Sequence, residues 1–208
     1  MKTIVYVDGF NLYYGALKGT PYKWLDILAL CKFLLPKNEI IQIKYFTALV
    51  SARPSDLDQP NRQQVYLRAL RTIPRLEIIY GHFLEHVITM PLANPVPGGP
   101  RNVRVIKTEE KGSDVNIAAH LINDGHKRRY EAAILISNDS DLVEPVKIVR
   151  NELKFPVGVL NPIPDIPSQA LRKYATFVKP IRHGVLSASQ FPPTLKDSVG
   201  TFHKPSSW

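Results

Sequence analysis

Cysteine is nearly absent from this chain of 208 residues, which contains only Cys31. A single thiol cannot form an internal disulfide, so nothing in the sequence requires an oxidising compartment. Cys31 lies in an apolar stretch, where a cysteine usually behaves as a small core residue. Zinc sites built from paired cysteines are excluded, and the six histidines lack the spacing of zinc ligands.

Long apolar runs are also missing. No segment approaches the roughly 20 apolar residues that span a bilayer, and the apolar part of "MKTIVYVDGF" is too short for a signal peptide. We therefore expect a cytoplasmic protein without membrane contact. The hydrophobic content of 44% is enough for a substantial core, and the length suggests one main domain.

Several signatures of phosphate and metal chemistry are absent as well. Neither a Walker lysine motif nor a G-x-G-x-x-G follows the first apolar segment. A phosphatase of the haloacid type needs a second acid two residues after Asp8, where this chain has Phe10. The stretch "DSDLVEP" lacks the alternating acids and the glycine of an EF-hand.

Short apolar segments alternate with amphipathic ones along most of the chain. We predict strands at 3–9, 39–50, 75–86, 101–108, 131–137, 155–160 and 176–181, and helices at 23–36, 62–74, 114–125, 141–153 and 168–175. This alternation predicts an α/β fold of parallel βαβ units with a sheet covered on both faces. The alternation ends near residue 182, and we expect a domain at 1–182 and a C-terminal extension at 183–208 that packs on it or meets a partner.

Two of the predicted strands end on aspartate. Asp8 closes the first strand, and the stretch "ILISNDSDL", residues 134–142, runs from an apolar strand into Asp139 and Asp141. Pro145 is tolerated only in the first turn of a helix, which puts Asp139 at the strand tip and Asp141 at the helix start. Ligand sites in parallel sheets lie beyond the carboxyl ends of the strands. An ordinary turn rich in Ser, Asn and Asp is the alternative.

A further acid, Asp114, opens the helix predicted at 114–125. At about 100° per residue, Asp114 falls within an apolar arc of Val115, Ile117, Ala118, Ala119, Leu121 and Ile122, opposite Asn116, His120, Asn123 and Asp124. The helix dipole favours an acid in the first turn wherever it points. It does not explain the direction of Asp114, because a carboxylate turned toward the sheet needs a partner that offsets its desolvation.

These acids predict a divalent metal site. We expect Asp8, Asp114 and Asp139 at the edges of one cleft, with Asp141 close by. Like charges at short range raise one another's pKa unless a cation lies among them. Carboxylate oxygens without Cys or His suit Mg²⁺ or Mn²⁺, and such an ion supports attack of water on a phosphate.

Three motifs together resemble those of the NYN domain family, the PIN-like metal-dependent ribonucleases that include LabA-like bacterial proteins. They are "VYVDGFNLYYG" at 5–15, "KGSDVNIAAHLI" at 111–122 and "ILISNDSDLVEPVKIVR" at 134–150. Their order, spacing and flanking elements agree with the family over roughly residues 1–180. The resemblance implies a three-layer α/β/α sandwich with a mainly parallel sheet, and Mg²⁺- or Mn²⁺-dependent hydrolysis of RNA.

The resemblance also implies roles for single residues. Asp8, Asp114, Asp139 and Asp141 match the acidic positions of the family and would ligate metal directly or through water. Asn11 matches the asparagine that orients the first acid or a phosphate, and Ser137 matches the serine before the last acids. Asn138 departs from the pattern, because members often have glycine there.

Basic residues must bring RNA to an acidic cleft, and the net charge of +9, from 27 Lys and Arg against 18 Asp and Glu, favours polyanions. We expect Arg53 and Lys111 to contact phosphate, since Lys111 precedes Asp114 by three residues. Other bases lie nearby in sequence: Arg62, Arg68, Arg71, Arg101, Arg104 and Lys107. The cluster at 126–129 is better explained as a solvated face, because it lies at the far end of the helix from Asp114. Tyr13, Tyr14 and Trp24 either stack on bases or, as is commoner, belong to the core.

The function that we predict is a metal-dependent ribonuclease with RNA as its partner. Two alternatives stay open: an RNA-binding or regulatory module that cuts nothing, and a metal-dependent phosphatase on small phosphoesters. A homodimer is compatible with the sequence but is not required by it.

Overall fold

A computed structural model describes all 208 residues of the chain. Its central sheet is parallel throughout, with six strands in the order β3-β2-β1-β6-β7-β8. The strands of the chain are β1 (Lys2–Asp8), β2 (Glu39–Thr47), β3 (Leu76–Tyr80), β4 (His82–Pro91), β5 (Asn102–Lys111), β6 (Ala132–Ile136), β7 (Val157–Asn161), β8 (Phe177–Pro180), β9 (Thr194–Lys196) and β10 (Thr201–His203).

The helices cover both faces of this sheet. They are α1 (Gly9–Leu12), α2 (Ile27–Leu34), α3 (Gln59–Leu70), α4 (Ser113–His126), α5 (Val143–Lys147), α6 (Gln169–Tyr174) and α7 (His183–Ala188). A π-helical turn continues α1 over Tyr13–Leu17 and α5 over Ile148–Glu152, and a 3₁₀ turn at Ser140–Leu142 precedes α5. None of these helices combines the length and the apolar character that crossing a membrane needs.

The two sides of β1 show why both faces are covered. Val5 and Val7 pack into one core with α1, α2 and α3, whereas Ile4 and Tyr6 pack into a second core with α4, α5 and α6. Successive strand residues point to opposite faces, so a strand without a polar face needs cover on both sides. The predicted three-layer α/β/α sandwich with a mainly parallel sheet is confirmed.

The strand predicted at 75–86 is wrong as a single element. The chain leaves the sheet at Gly81, and β4 pairs instead with β5 in an antiparallel two-stranded ribbon. A side chain at Gly81 would collide with the Glu110 carboxylate and would lie 2.6 Å from the Lys111 carbonyl oxygen. Gly81 therefore lets the two strands of the ribbon close at its base, beside the sheet edge.

The prediction of which side chains of α4 face the core and which face solvent is also partly wrong. Ile117 and Leu121 are buried as expected, but Val115 is 72% exposed and Asp124 is fully buried. Asp124 accepts hydrogen bonds from the Tyr6 hydroxyl at 2.8 Å, from Lys44 at 2.5 Å and from Arg129 at 2.9 Å. These three donors offset the desolvation of a carboxylate that a helical projection assigns to solvent.

Residues 183–208 pack against the domain rather than standing apart from it. Trp24, fully buried, lies edge-on to the rings of Phe191, Phe202 and Trp208, and its indole donates to the Pro192 carbonyl at 2.8 Å. The extension thus completes the core on the face of α1, α2 and α3. Trp24 has no exposed surface left for stacking on a base.

Candidate metal centre

The topology brings three of the predicted acids to one edge of the sheet. Asp8 is the last residue of β1, and Asp139 follows β6, the strand that pairs with β1 in parallel. Asp114 lies in the first turn of α4, which packs on β1 and β2. Because parallel neighbours present their carboxyl ends at the same edge, strand ends and a helix start meet there.

The three carboxylates form a compact cluster. One oxygen from each of Asp8, Asp114 and Asp139 lies within 4.8 Å of the others. Asp8 is 5% exposed, and the other two are partly buried. None of the three forms an ion pair with a Lys, Arg or His side chain. The oxygen-only donor set and the missing countercharge fit a hard divalent cation such as Mg²⁺ or Mn²⁺.

The surroundings of Asp8 hold its carboxylate in place without neutralising it. One oxygen accepts from the Asn11 backbone N–H at 2.9 Å and caps α1, and the other accepts from the Ser137 hydroxyl at 3.0 Å. Burial raises the pKa of Asp8 to about 6, against the opposing effect of these hydrogen bonds, and the charges of Asp114 and Asp139 add to the rise. A cation among the three carboxylates would reverse the shift.

Asp114 has an acidic neighbour that the sequence pattern did not single out. Burial raises the pKa of Asp114, and the charges of Asp139, Glu110 and Asp141 raise it further. Glu110, at the end of β5, accepts from the Ser113 backbone N–H at 3.2 Å and from its hydroxyl at 2.9 Å. Glu110 could not be predicted from a local motif, because it reaches the site only when β5 pairs with β4 and returns to the edge of the sheet.

Asp141 lies outside the cluster. Its backbone N–H donates to the Asp139 carboxylate at 2.9 Å, which fixes the 3₁₀ turn, and its own side chain is exposed. Asp141 contributes through charge, since it raises the pKa of Asp114. The structure thus brings together three of the four predicted acids.

Ser137 and Asn11 support the acids from beneath. Ser137 is fully buried, and its hydroxyl donates to Asp8 and accepts from the Asp139 backbone N–H, both at 3.0 Å. Both partners of this buried hydroxyl are in the protein, so the structure places Ser137 beneath the acids, and a contact of Ser137 with substrate stays a prediction from the family resemblance. The Asn11 side-chain oxygen accepts from the Asn138 backbone N–H at 2.9 Å, which ties α1 to the loop after β6.

The predicted bases are mostly engaged elsewhere. Lys111 is exposed and pairs with Glu109 at 3.2 Å, and it does not line the cleft, contrary to expectation. Arg62 pairs with Asp56 and Asp58, and Arg68 forms a two-point contact with Asp197. These arginines stabilise loops instead of presenting free charge.

A cleft of about 430 Å³ opens over the cluster. Its walls come from α1, the loop after β2, the β4–β5 ribbon and the start of α4, and its lining residues are Asp8, Phe10, Asn11, Tyr14, Val50, Arg53, Phe83, Thr108, Glu110, Ser113, Asp114 and Asp139. Arg53 is the only basic residue among them. The cleft therefore contains one positively charged side chain and four acidic ones.

The chain is similar to a curated protein and to a solved structure. The chain is 32% identical to 6-hydroxy-3-succinoylpyridine 3-monooxygenase HspA of Pseudomonas putida (strain DSM 28022 / S16) over an alignment of 236 residues, which covers 100% of this chain and 75% of that protein. A crystal structure of a protein of unknown function, VPA0982, from Vibrio parahaemolyticus RIMD 2210633 superposes with a TM-score of 0.59 at 20% identity, covering 88% of this chain and 93% of that one. The second likeness shows the α/β fold alone.

A structure of MurG from Acinetobacter baumannii matches less well, with a TM-score of 0.40 at 12% identity over 92% of this chain and 43% of that one. The family profile described as "NYN domain" matches residues 2–182, which include Asp8, Asp114 and Asp139. The chain belongs to the NYN domain family.

Proposed function

We propose that this protein is a Mg²⁺- or Mn²⁺-dependent ribonuclease that hydrolyses phosphodiester bonds of RNA at the cleft over Asp8, Asp114 and Asp139. The observation that carries the proposal is the cluster of three carboxylates with no countercharge among them. Membership of the NYN family, with its PIN-like nuclease fold, supports it.

Each residue has a separate task in this proposal. Asp8, Asp114 and Asp139 hold the divalent ion, while Ser137 and the Asn11 backbone N–H orient the two oxygens of Asp8. Groups that orient metal ligands tune a site almost as strongly as the ligands. When bound, the ion supplies positive charge that activates water and stabilises the transition state at phosphorus.

Substrate approach depends on charge away from the acids. The net charge of +9 attracts a polyanion, and Arg53 lies on the wall of the cleft. Phosphate contacts of this kind give affinity without sequence preference. We assign Arg53 to a backbone phosphate next to the one that is cut.

The test is RNA cleavage by purified protein with added Mg²⁺ or Mn²⁺. Asp139→Asn should reduce cleavage by about a hundredfold or more, the scale of loss when one charge-stabilising group leaves a catalytic site, while RNA binding persists in a filter assay. Glu39→Gln, at the opposite end of the sheet, is the matched control and should cleave normally.

Three other outcomes would replace the proposal. Equal cleavage by Asp139→Asn and the unchanged protein would indicate a contaminating nuclease. RNA binding without cleavage under either metal would favour a non-catalytic RNA-binding module. Hydrolysis of a small phosphoester with no action on RNA would favour a phosphatase.

A second candidate function comes from the HspA likeness, which extends over the whole chain. It is the incorporation of one oxygen atom of O₂ into a substituted pyridine, with a two-electron donor reducing the second atom to water. The donor set of three carboxylates differs from the two histidines and one carboxylate of non-haem iron oxygenases, so we rank it below the nuclease.

Oxygen uptake decides between these two functions. The protein is incubated with NADH, a flavin or Fe²⁺, and 6-hydroxy-3-succinoylpyridine. Stoichiometric loss of O₂ and NADH with a hydroxylated product would support the second candidate. The nuclease proposal expects no substrate-dependent uptake.

A further inference from the structure

A second cavity lies beside the acidic cleft and is not part of the metal site. It has a volume of about 280 Å³ and is enclosed by the π-helical turn after α1, the end of β2, α3 and the last residues of the extension. Pockets for small ligands have volumes of roughly 300–1,000 Å³, and this cavity lies at the lower end of that range. Its size therefore suits one planar ring system.

Six of the sixteen residues that line the cavity are aromatic. Tyr13 and Tyr14 contribute from the turn after α1, Tyr66 from α3, and Trp208 from the extension. The Tyr66 hydroxyl donates to the Leu25 carbonyl at 2.9 Å, and the Trp208 ring lies 5.8 Å from the Tyr66 ring. This part of the wall is held in place before any ligand arrives.

Two hydroxyl groups line this cavity without a hydrogen-bond partner in the protein. Tyr45 is 6% exposed and Thr47 is 3% exposed; both line the cavity, and neither hydroxyl forms a hydrogen bond within the protein. Both hydroxyl oxygens remain accessible, so each is free to form a hydrogen bond with a molecule that enters the cavity. A ligand with hydrogen-bonding groups on its edge would satisfy both.

Gly9 keeps the Tyr45 hydroxyl at this position. A Cβ at Gly9 would lie 2.7 Å from the ring carbon Cζ of Tyr45 and 2.8 Å from its hydroxyl oxygen. Burial raises the pKa of Tyr45, and the charge of Asp8 raises it further, so the hydroxyl stays protonated and able to donate. Any residue other than glycine would displace this donor.

The cavity and the cleft are neighbours that share a wall. Phe10, Tyr14 and Val50 line both. Among the cations of the cavity, Arg62 is neutralised by Asp56 and Asp58, whereas Lys23 has no ionic partner. One molecule that joins a planar ring to a phosphate group has the right shape to enter both spaces.

We propose that this cavity binds one nucleobase of the RNA, beside the phosphate that is cut at the acidic cluster, and the proposal rests on the nuclease function given above. The ring stacks against Tyr13 and Trp208, and the hydroxyl groups of Tyr45 and Thr47 bond to its edge. Stacking on aromatic side chains accepts any base, while the two hydroxyl groups add preference for bases with matching edges.

The test uses nucleosides without phosphate, so that it depends neither on metal nor on cleavage. The chain has two tryptophans, of which Trp24 is fully buried and Trp208 lines the cavity. The indole N–H signal of Trp208 in ¹⁵N-labelled protein, assigned with Trp208→Phe, is followed during titration in EDTA. Nucleosides should shift it saturably and ribose should not.

Two variants each remove one hydroxyl group and keep the shape of the side chain. Thr47→Val and Tyr45→Phe should each weaken nucleoside binding about three- to tenfold, the worth of one hydrogen bond. Phe33→Ala, at an exposed aromatic residue on α2, is the control and should bind normally. The same spectra report whether each variant is folded.

The outcomes separate this proposal from the nuclease. Saturable nucleoside binding that both variants weaken supports the base site even if RNA is never cut. Equal shifts with ribose, or binding unchanged in both variants, would overturn it. So would tight binding of nicotinate, a free heteroaromatic acid, when nucleosides do not bind, because the cavity would then be a small-molecule site.

Discussion

Asp8 shows most clearly how the cluster of acids lowers the stability of the fold when no cation is bound. Its carboxylate is 5% exposed and has two hydrogen-bond donors but no positive partner. The pKa of Asp8, raised by burial to about 6, lies above the ordinary value of 3.8. A raised carboxyl pKa means that the contribution to stability is full below pH 4 and disappears as the pH rises through 6.

Replacement of Asp8 should therefore stabilise the metal-free protein. In EDTA at pH 7.5, Asp8→Asn should increase the free energy of unfolding by on the order of 2 kcal/mol, and the gain should vanish near pH 4. Mn²⁺ should raise the melting temperature of the unchanged protein and leave that of the variant in place. Urea denaturation and thermal scans measure both effects, and a variant less stable at pH 7.5 than at pH 4 relative to the unchanged protein would contradict the prediction.

Among the site residues, those at strand ends were predictable and those brought in from elsewhere were not. Asp8 and Asp139 follow buried strands, and parallel pairing puts such positions at one edge. Glu110 reaches the site because β5 pairs with β4. Ser137 is buried because the loop after β6 folds beneath Asp8. Neither contact has a periodic signal in the sequence.

At the scale of elements, α4 joins the metal site to a buried network at its other end. Asp124 is fully buried, and hydrogen bonds from Lys44, Tyr6 and Arg129 outweigh the effect of burial and keep its pKa below the usual range. A depressed pKa stabilises the fold above the unfolded value and loses that effect as the pH falls. The network pins α4 to β1 and β2.

Loss of one partner in this network should lower the free energy of unfolding strongly. Lys44→Met leaves the buried Asp124 with two donors, and we expect a cost of about 3 kcal/mol or more. Combining it with Asp124→Leu should recover part of the loss, since no buried charge is then left without its partner and Arg129, half-exposed, can be solvated. Lys32→Met, at an exposed lysine of α2, should change the free energy of unfolding by less than about 0.5 kcal/mol. Urea denaturation of the unchanged protein and these three variants tests this, and a double variant no more stable than Lys44→Met would contradict it.

Element types were predictable from periodicity, whereas element ends and partners were not. The alternation of strands and helices gave the parallel sheet, because strands without a polar face need cover on both sides. The break at Gly81 was missed, since β3 and β4 are both β-rich and only the close approach of Glu110 explains the glycine. Asp124 was assigned to solvent because a helical projection contains no information on the donors that meet it from β1 and β2.

At the scale of the whole molecule, the extension belongs to the core. Phe191 is 7% exposed, and its ring lies 5.8 Å from that of Trp24. Phe191→Ala should lower the free energy of unfolding by about 3–5 kcal/mol, and Phe33→Ala, at a side chain that is 60% exposed, should change it by less than about 0.5 kcal/mol. Equal small effects in a denaturation experiment would mean that the extension packs loosely.

A divalent ion bound at Asp8, Asp114 and Asp139 is the central requirement of the proposed function, and diffraction from Mn²⁺-soaked crystals tests it directly. The predicted result is one anomalous peak within metal–oxygen bonding distance of an oxygen of each carboxylate, and no peak there in crystals of Asp139→Asn. A fully occupied peak elsewhere, or none at millimolar Mn²⁺ with the three side chains ordered, would contradict the metal site and the nuclease with it.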